Sequence, residues 1–162
     1  MARPLLDVLP ALAAGNAVVQ KADNQTALTV LFARHLAVEA GIPAELWTVV
    51  VGDGELVGNA ITDNVDYVAF TGSTATGRKV AERAAKRLIG CSLELGGKSA
   101  NIVFADADVE KAAATAPYSV FENAGQDCCA RSRILVQKSV LDKFMEGLEK
   151  SVKGVVIGDP TK

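Results

Sequence analysis

Histidine is nearly absent from this 162-residue chain. The single one, His35, falls near the inner face of an amphipathic stretch, where a packed or half-exposed ring is expected rather than an acid, a base or a metal ligand. Cysteine is scarce too: of Cys91, Cys128 and Cys129 two are adjacent, three cannot all pair, and the spacing is not that of a zinc site. No metal is therefore expected, and reduced thiols in a reducing compartment fit best. No apolar run approaches the roughly 20 residues needed to cross a bilayer. Met1-Ala2-Arg3-Pro4 has no secretory signal core, so a cytoplasmic location is expected. A large excess of one charge sign is missing as well. A net −2 with both signs mixed gives no reason to expect nucleic acid or a membrane surface as partner.

What is present is the composition of a globular protein, with 49% apolar and 22% charged residues. Short apolar runs alternate with helical patterns. Strands are expected at Ala17 to Gln20, Trp47 to Val51, Tyr67 to Phe70 and Cys91 to Leu95. Between them, helices are expected from Thr26 to about Ala40, with Leu28, Leu31, Phe32 and Leu36 inward, near Leu56 to Ile61, and from Ser73 with Val80, Ala81 and Ala84 inward. An opening helix from Pro4 to Ala14 is interrupted by Pro10 and stopped at Gly15. The alternation argues for βαβ units and an α/β fold: a parallel Rossmann-like sheet with helices on both faces.

After Gly96-Gly97 the pattern changes. Strands are expected at Ala100 to Phe104 and Arg133 to Val136, with a helix capped by Asp106 or Asp108 running toward Phe121 and a charged amphipathic helix from Leu141 to Val152. Pro117 should kink or end the first of these helices. The glycine pair thus reads as the boundary between a first α/β domain, residues 1–97, and the start of a second α/β domain, residues 98–162.

Two segments carry chemistry. Cys128 lies in Asn123-Ala124-Gly125-Gln126-Asp127-Cys128-Cys129, and a cysteine is nucleophilic only as its thiolate. Glu94 lies in Leu93-Glu94-Leu95-Gly96-Gly97-Lys98-Ser99, at the end of a strand, where a carboxylate can take a proton from a thiol or a water within reach. Taken alone, Cys128 reads as an inert buried thiol, and Cys91 and Cys129 read so in any case. Ser73, between Gly72 and a periodic helix, reads first as an N-cap and second as a phosphate site, because backbone amides at a helix start attract anions.

The two segments, in this order, closely resemble the active-site signatures of the aldehyde dehydrogenase superfamily. The resemblance implies that Cys128 is the nucleophile and Glu94 the general base, and that residues 1–97 form a dinucleotide-binding domain and residues 98–162 the start of a catalytic domain. It implies an enzyme that oxidises an aldehyde to a carboxylic acid through a cysteine thioester, with NADP or NAD as cofactor. Phe70-Thr71-Gly72-Ser73-Thr74 is similar to the family's pyrophosphate-binding turn, with Thr76 one turn on. Lys21 corresponds to the lysine on the adenosine ribose, and Gly54 and Gly58 to the glycines beneath the adenine. Asn24 stands where many members carry a glutamate that grips the ribose 2′-hydroxyl, and a neutral amide does not repel a 2′-phosphate, so NADP is expected to be tolerated or preferred.

Gln20 to Thr26 and Ile89 to Leu95 look most like succinate-semialdehyde dehydrogenases. The family's upstream Trp-Asn segment, which supplies an oxyanion asparagine, has no match before Pro4, and the glutamate on the nicotinamide ribose lies past the family's counterpart of Pro160. This segment alone is accordingly expected to be weakly active or inactive. Apolar surface left uncovered should favour self-association. The alternative is a non-catalytic nucleotide-binding or scaffold domain.

Overall fold

The computed structural model describes residues 7–159 and 161. The expected start of the first helix at Pro4 lies outside the described residues. The chain divides into two compact units, Met1–Glu94 and Leu95–Lys162.

The first unit alternates helix and strand: α1 (Val8–Ala13), β1 (Val18–Lys21), α2 (Ala27–Glu39), β2 (Trp47–Val50), α3 (Gly54–Thr62), β3 (Tyr67–Gly72), α4 (Thr74–Lys86) and β4 (Gly90–Leu95). β1 and β2 pair in parallel, Val18 opposite Trp47 and Lys21 opposite Val50, while β3 pairs with β4. Side chains alternate across a strand, so the pair has two faces. Val18, Trp47 and Val49 pack toward α1 and α2 around buried Val8, Ala22 and Val30. Val19 and Val50 line the opposite face together with Leu56, Val57 and Ile61 of α3. Helices thus cover both faces of a parallel pair, as the alternating pattern requires.

The inner face of α2 differs from expectation. Val30 is buried, and Ala27, Ala33 and Ala37 pack against the same core. Leu28, Phe32, Leu36 and Leu31 are 82%, 61%, 47% and 42% exposed. Small side chains let the helix lie close on the strands, and the bulky leucines are left on the other side. His35 shares the exposed surface, its Nε2 3.4 Å from Glu39. Pro10 does not interrupt α1, because it sits in the first turn, where a missing N–H costs no intrahelical bond.

The second unit contains β5 (Ala100–Val103), α5 (Val109–Thr115), α6 (Tyr118–Phe121), β6 (Arg133–Val136) and α7 (Leu141–Lys153), with β5 and β6 parallel. Of the two candidate caps, Asp108 makes the bond, accepting from the Lys111 amide at 3.0 Å. Pro117 separates α5 from α6. The core gathers Val103, Val109, Ala113, Ala116 and Phe144. α5 and α7 approach so closely that a Cβ on Gly147 would come within 2.9 Å of Ala113 Cβ. Among the described residues no helix is long and apolar enough to cross a membrane.

Three helices end in the same way. After α1 the Asn16 amide reaches Ala11 O and Gly15 reaches Leu12 O; after α2 Ile42 reaches Ala37 O and Gly41 reaches Val38 O. After α4 Ile89 reaches Ala84 O and Leu88 reaches Ala85 O. This is the paired bonding of a Schellman cap, whose turning residue needs a left-handed backbone. Gly15 and Gly41 adopt it at φ 85° and 100°, but at the third cap it is Leu88, at φ 56° and 95% exposed. A side chain there costs about 1–2 kcal/mol, against about 0.5–1 kcal/mol of chain entropy for a glycine. Leu88→Gly should therefore stabilise the protein, by up to about 1.5 kcal/mol. A denaturation midpoint unchanged or lowered would contradict this account of the cap.

Candidate functional site

In a parallel pair both strands deliver their carboxyl ends to one edge, and ligands of open α/β sheets bind there. Lys21 ends β1, and its Nζ donates to Asn24 Oδ1 at 3.2 Å. Asp53 follows β2 and caps α3, its carboxylate accepting from the Glu55 and Leu56 amides, each at 2.9 Å. Those two bonds hold the Asp53 carboxyl below its ordinary range, and the charge of Lys21 adds to the effect. Lys21, Asn24 and the start of α3 therefore share one edge. Gly54 and Gly58 lie on α3, and a Cβ built on either would meet nothing within 4 Å.

Gly72 ends β3 and Ser73 caps α4. Ser73 Oγ accepts from the Thr76 amide at 3.2 Å and lies 3.0 Å from Thr76 Oγ1. The N-cap reading of Ser73 is thus realised, and Thr76 belongs to the same exposed turn. A Cβ at Gly72 would come within 2.6 Å of the tip of the Phe70 ring, so a side chain there requires that ring to move. The first-turn amides of this 13-residue helix lie at a strand's carboxyl end, the geometry that favours an anion.

Glu94 is exposed, the next-to-last residue of β4 and the last of the first unit. Cys128 belongs to the second unit, in the loop between α6 and β6. That loop opens with an unusual bend. Asn123, Ala124 and Gly125 are all left-handed, at φ 53°, 56° and 73°. Asn123 compensates by donating from Nδ2 to Gln126 O at 3.0 Å, whereas Ala124 carries a cost of about 1–2 kcal/mol with no side-chain bond to offset it. Further on, the Arg131 amide donates to Ser119 O at 3.1 Å and ties the loop back to α6.

Cys128 is half-buried and Cys129 exposed; neither they nor Cys91 form a disulfide. A Cβ on Gly97 would lie 3.8 Å from the Cys128 carbonyl oxygen, so the glycine turn runs beside the loop. Arg133 fastens the same turn from the other side, its Nε donating to Lys98 O at 2.7 Å and its amide to Ser99 O at 3.2 Å. Cys129 is exposed, not buried as expected. Its sulfur lies 3.2 and 3.3 Å from the two carboxylate oxygens of Asp127. No spacing rule signals that contact, because residues two apart meet only when the turn is tight.

Parallel strand pairs joined by helices, with helices on both faces of the β1–β2 pair, define an α/β architecture of the Rossmann-like kind. The sequence model of the aldehyde dehydrogenase family matches residues 1–162, and the chain belongs to that family. A Mycobacterium ulcerans (strain Agy99) protein named "Putative succinate-semialdehyde dehydrogenase NADP(+) 2" is 47% identical over 152 residues, covering 94% of this chain and 29% of that protein. An E. coli NADP dependent enzyme of known structure superposes with a TM-score of 0.87 at 44% identity, over 94% of this chain and 32% of that one. An NAD-dependent aldehyde dehydrogenase from Sinorhizobium meliloti gives 0.87 and 44%, over 94% and 31%. The chain thus spans about a third or less of the length of these relatives.

Proposed function

We propose that this chain carries the nucleophile and the general base of an NAD(P)-dependent aldehyde dehydrogenase, Cys128 and Glu94, on a second and a first domain respectively. The observation that carries the reading is the left-handed run before Cys128, a strained bend of the kind that persists where surrounding structure holds a reactive group in place.

In this reading the Cys128 thiolate adds to an aldehyde carbonyl and forms a thiohemiacetal, whose oxyanion is held by the Cys128 amide. A bound nicotinamide cofactor supplies the hydride acceptor. Glu94 then takes a proton from the water that cleaves the resulting thioester, releasing the carboxylic acid. Succinate semialdehyde is the proposed substrate, supported by the name borne by the mycobacterial relative.

The chain's residues fit a dinucleotide. Lys21 and Asn24 would hold the adenosine ribose, Gly54 and Gly58 leave open space for the adenine, and Gly72, Ser73 and Thr76 would hold the pyrophosphate at the start of α4. With Lys21 positive and Asn24 neutral, NADP should bind at least as tightly as NAD. Asn24→Glu would put a carboxylate beside the 2′-phosphate and lower NADP affinity about tenfold or more while affecting NAD less. Calorimetry on both nucleotides tests this, and clearly tighter NAD binding by the unaltered protein would defeat it.

Loss of one oxyanion donor typically costs a hundredfold or more in rate. The 162-residue polypeptide should therefore react selectively at Cys128 with an alkylating agent and bind NADPH, yet reduce little NADP with aldehyde. Robust turnover abolished by Cys128→Ala would overturn the low-activity expectation. NADPH binding without selective Cys128 labelling would instead favour a scaffold.

The outward leucines and Phe32 of α2 support self-association of this polypeptide as well. Sedimentation should show a concentration-dependent increase in mass that Phe32→Lys diminishes. A monomer at all concentrations would remove the idea.

A further inference from the structure

The loop holds a second chemical possibility, independent of turnover. One oxygen of Asp127 and the sulfurs of Cys128 and Cys129 all lie within 4.8 Å of one another. Tetrahedral coordination of zinc, with Zn–S near 2.3 Å and Zn–O near 2.0 Å, sets its sulfur–sulfur edge at about 3.8 Å and its sulfur–oxygen edge at about 3.5 Å. The Cys129 to Asp127 separations of 3.2 and 3.3 Å already match the second edge. Closing the remaining donors onto one ion needs a contraction of about 1.3 Å at most. The turn that gathers them is fixed by the Ala130 amide donating to Asp127 O at 3.2 Å. Cys129 is exposed, so an ion has a path from solvent and a water can fill the fourth position.

We infer that Asp127, Cys128 and Cys129 form a three-donor site for a thiophilic divalent cation of the zinc class. Two thiolates and one carboxylate suit a borderline-soft ion and discriminate against magnesium or calcium, which take oxygen donors. Binding converts two S–H groups to metal thiolates and releases two protons to solvent, so affinity rises with pH. While the ion is bound, the Cys128 sulfur is committed to the metal and closed to carbon electrophiles. That last consequence rests on the nucleophile reading above; the binding itself does not.

The test uses cadmium as the probe, on the reduced chain, followed by ultraviolet thiolate-to-cadmium charge-transfer absorbance, with zinc as competitor. One equivalent per chain is expected for the unaltered protein and for Cys91→Ser, with displacement by zinc. Cys129→Ser should weaken binding about tenfold or more, and Asp127→Asn should weaken it while leaving a dithiolate signal. Circular dichroism confirms that each variant keeps its helices. No cadmium signal in the unaltered protein, equal affinity in Cys129→Ser, loss of the site in Cys91→Ser, or no effect of Asp127→Asn would each overturn the three-donor site. Because absorbance is read without substrate, an inactive protein that binds cadmium as described upholds the site and leaves the catalytic reading to its own test.

Discussion

Parallel pairing of β1 with β2 is the constraint from which the first unit's arrangement follows. Two strands running the same way must be joined by a crossover, which here is α2, and they must end at the same edge. That edge is where Lys21 meets Asn24 and where the capped start of α3 begins. An antiparallel pair would have sent the two ends to opposite sides, and no arrangement of side chains could then have reunited them. The chemistry of this edge is cationic and amide-rich, with Asp53 turned to its own helix by two backbone bonds.

The second unit works by a different means. Its parallel strands hold the glycine turn and the cysteine loop side by side, and Arg133 stitches the turn at both Lys98 and Ser99. Backbone strain is concentrated in three consecutive residues, of which only Asn123 and Gly125 are chemically suited to it. Ala124 is the exception, and its conformation shows how tightly the neighbours dictate the loop.

Much of this was legible in the chain, for reasons that can be given residue by residue. Strands bounded by glycine and lysine, the stops at Gly15 and Gly41, and the break at Pro117 each follow from local backbone chemistry, which a sequence displays directly. The family was legible because Leu93 to Ser99 and Asn123 to Cys128 form a rare combination. Two features were not. In α2 the largest apolar residues were expected to mark the core, yet close approach to the strands selects alanine, and only the packed structure reveals which face is near. The contact between Cys129 and Asp127 depends on a tight turn whose left-handed entry no alanine announces.

Trp47 is the chain's only tryptophan, fully buried in the first unit with its Nε1 bonded to Gln20 Oε1 at 3.1 Å. The second unit has none. Indole emission is thus a built-in optical label for one half of the polypeptide, silent about the other, and its comparison with overall helix loss tells whether the halves melt as one body or in succession.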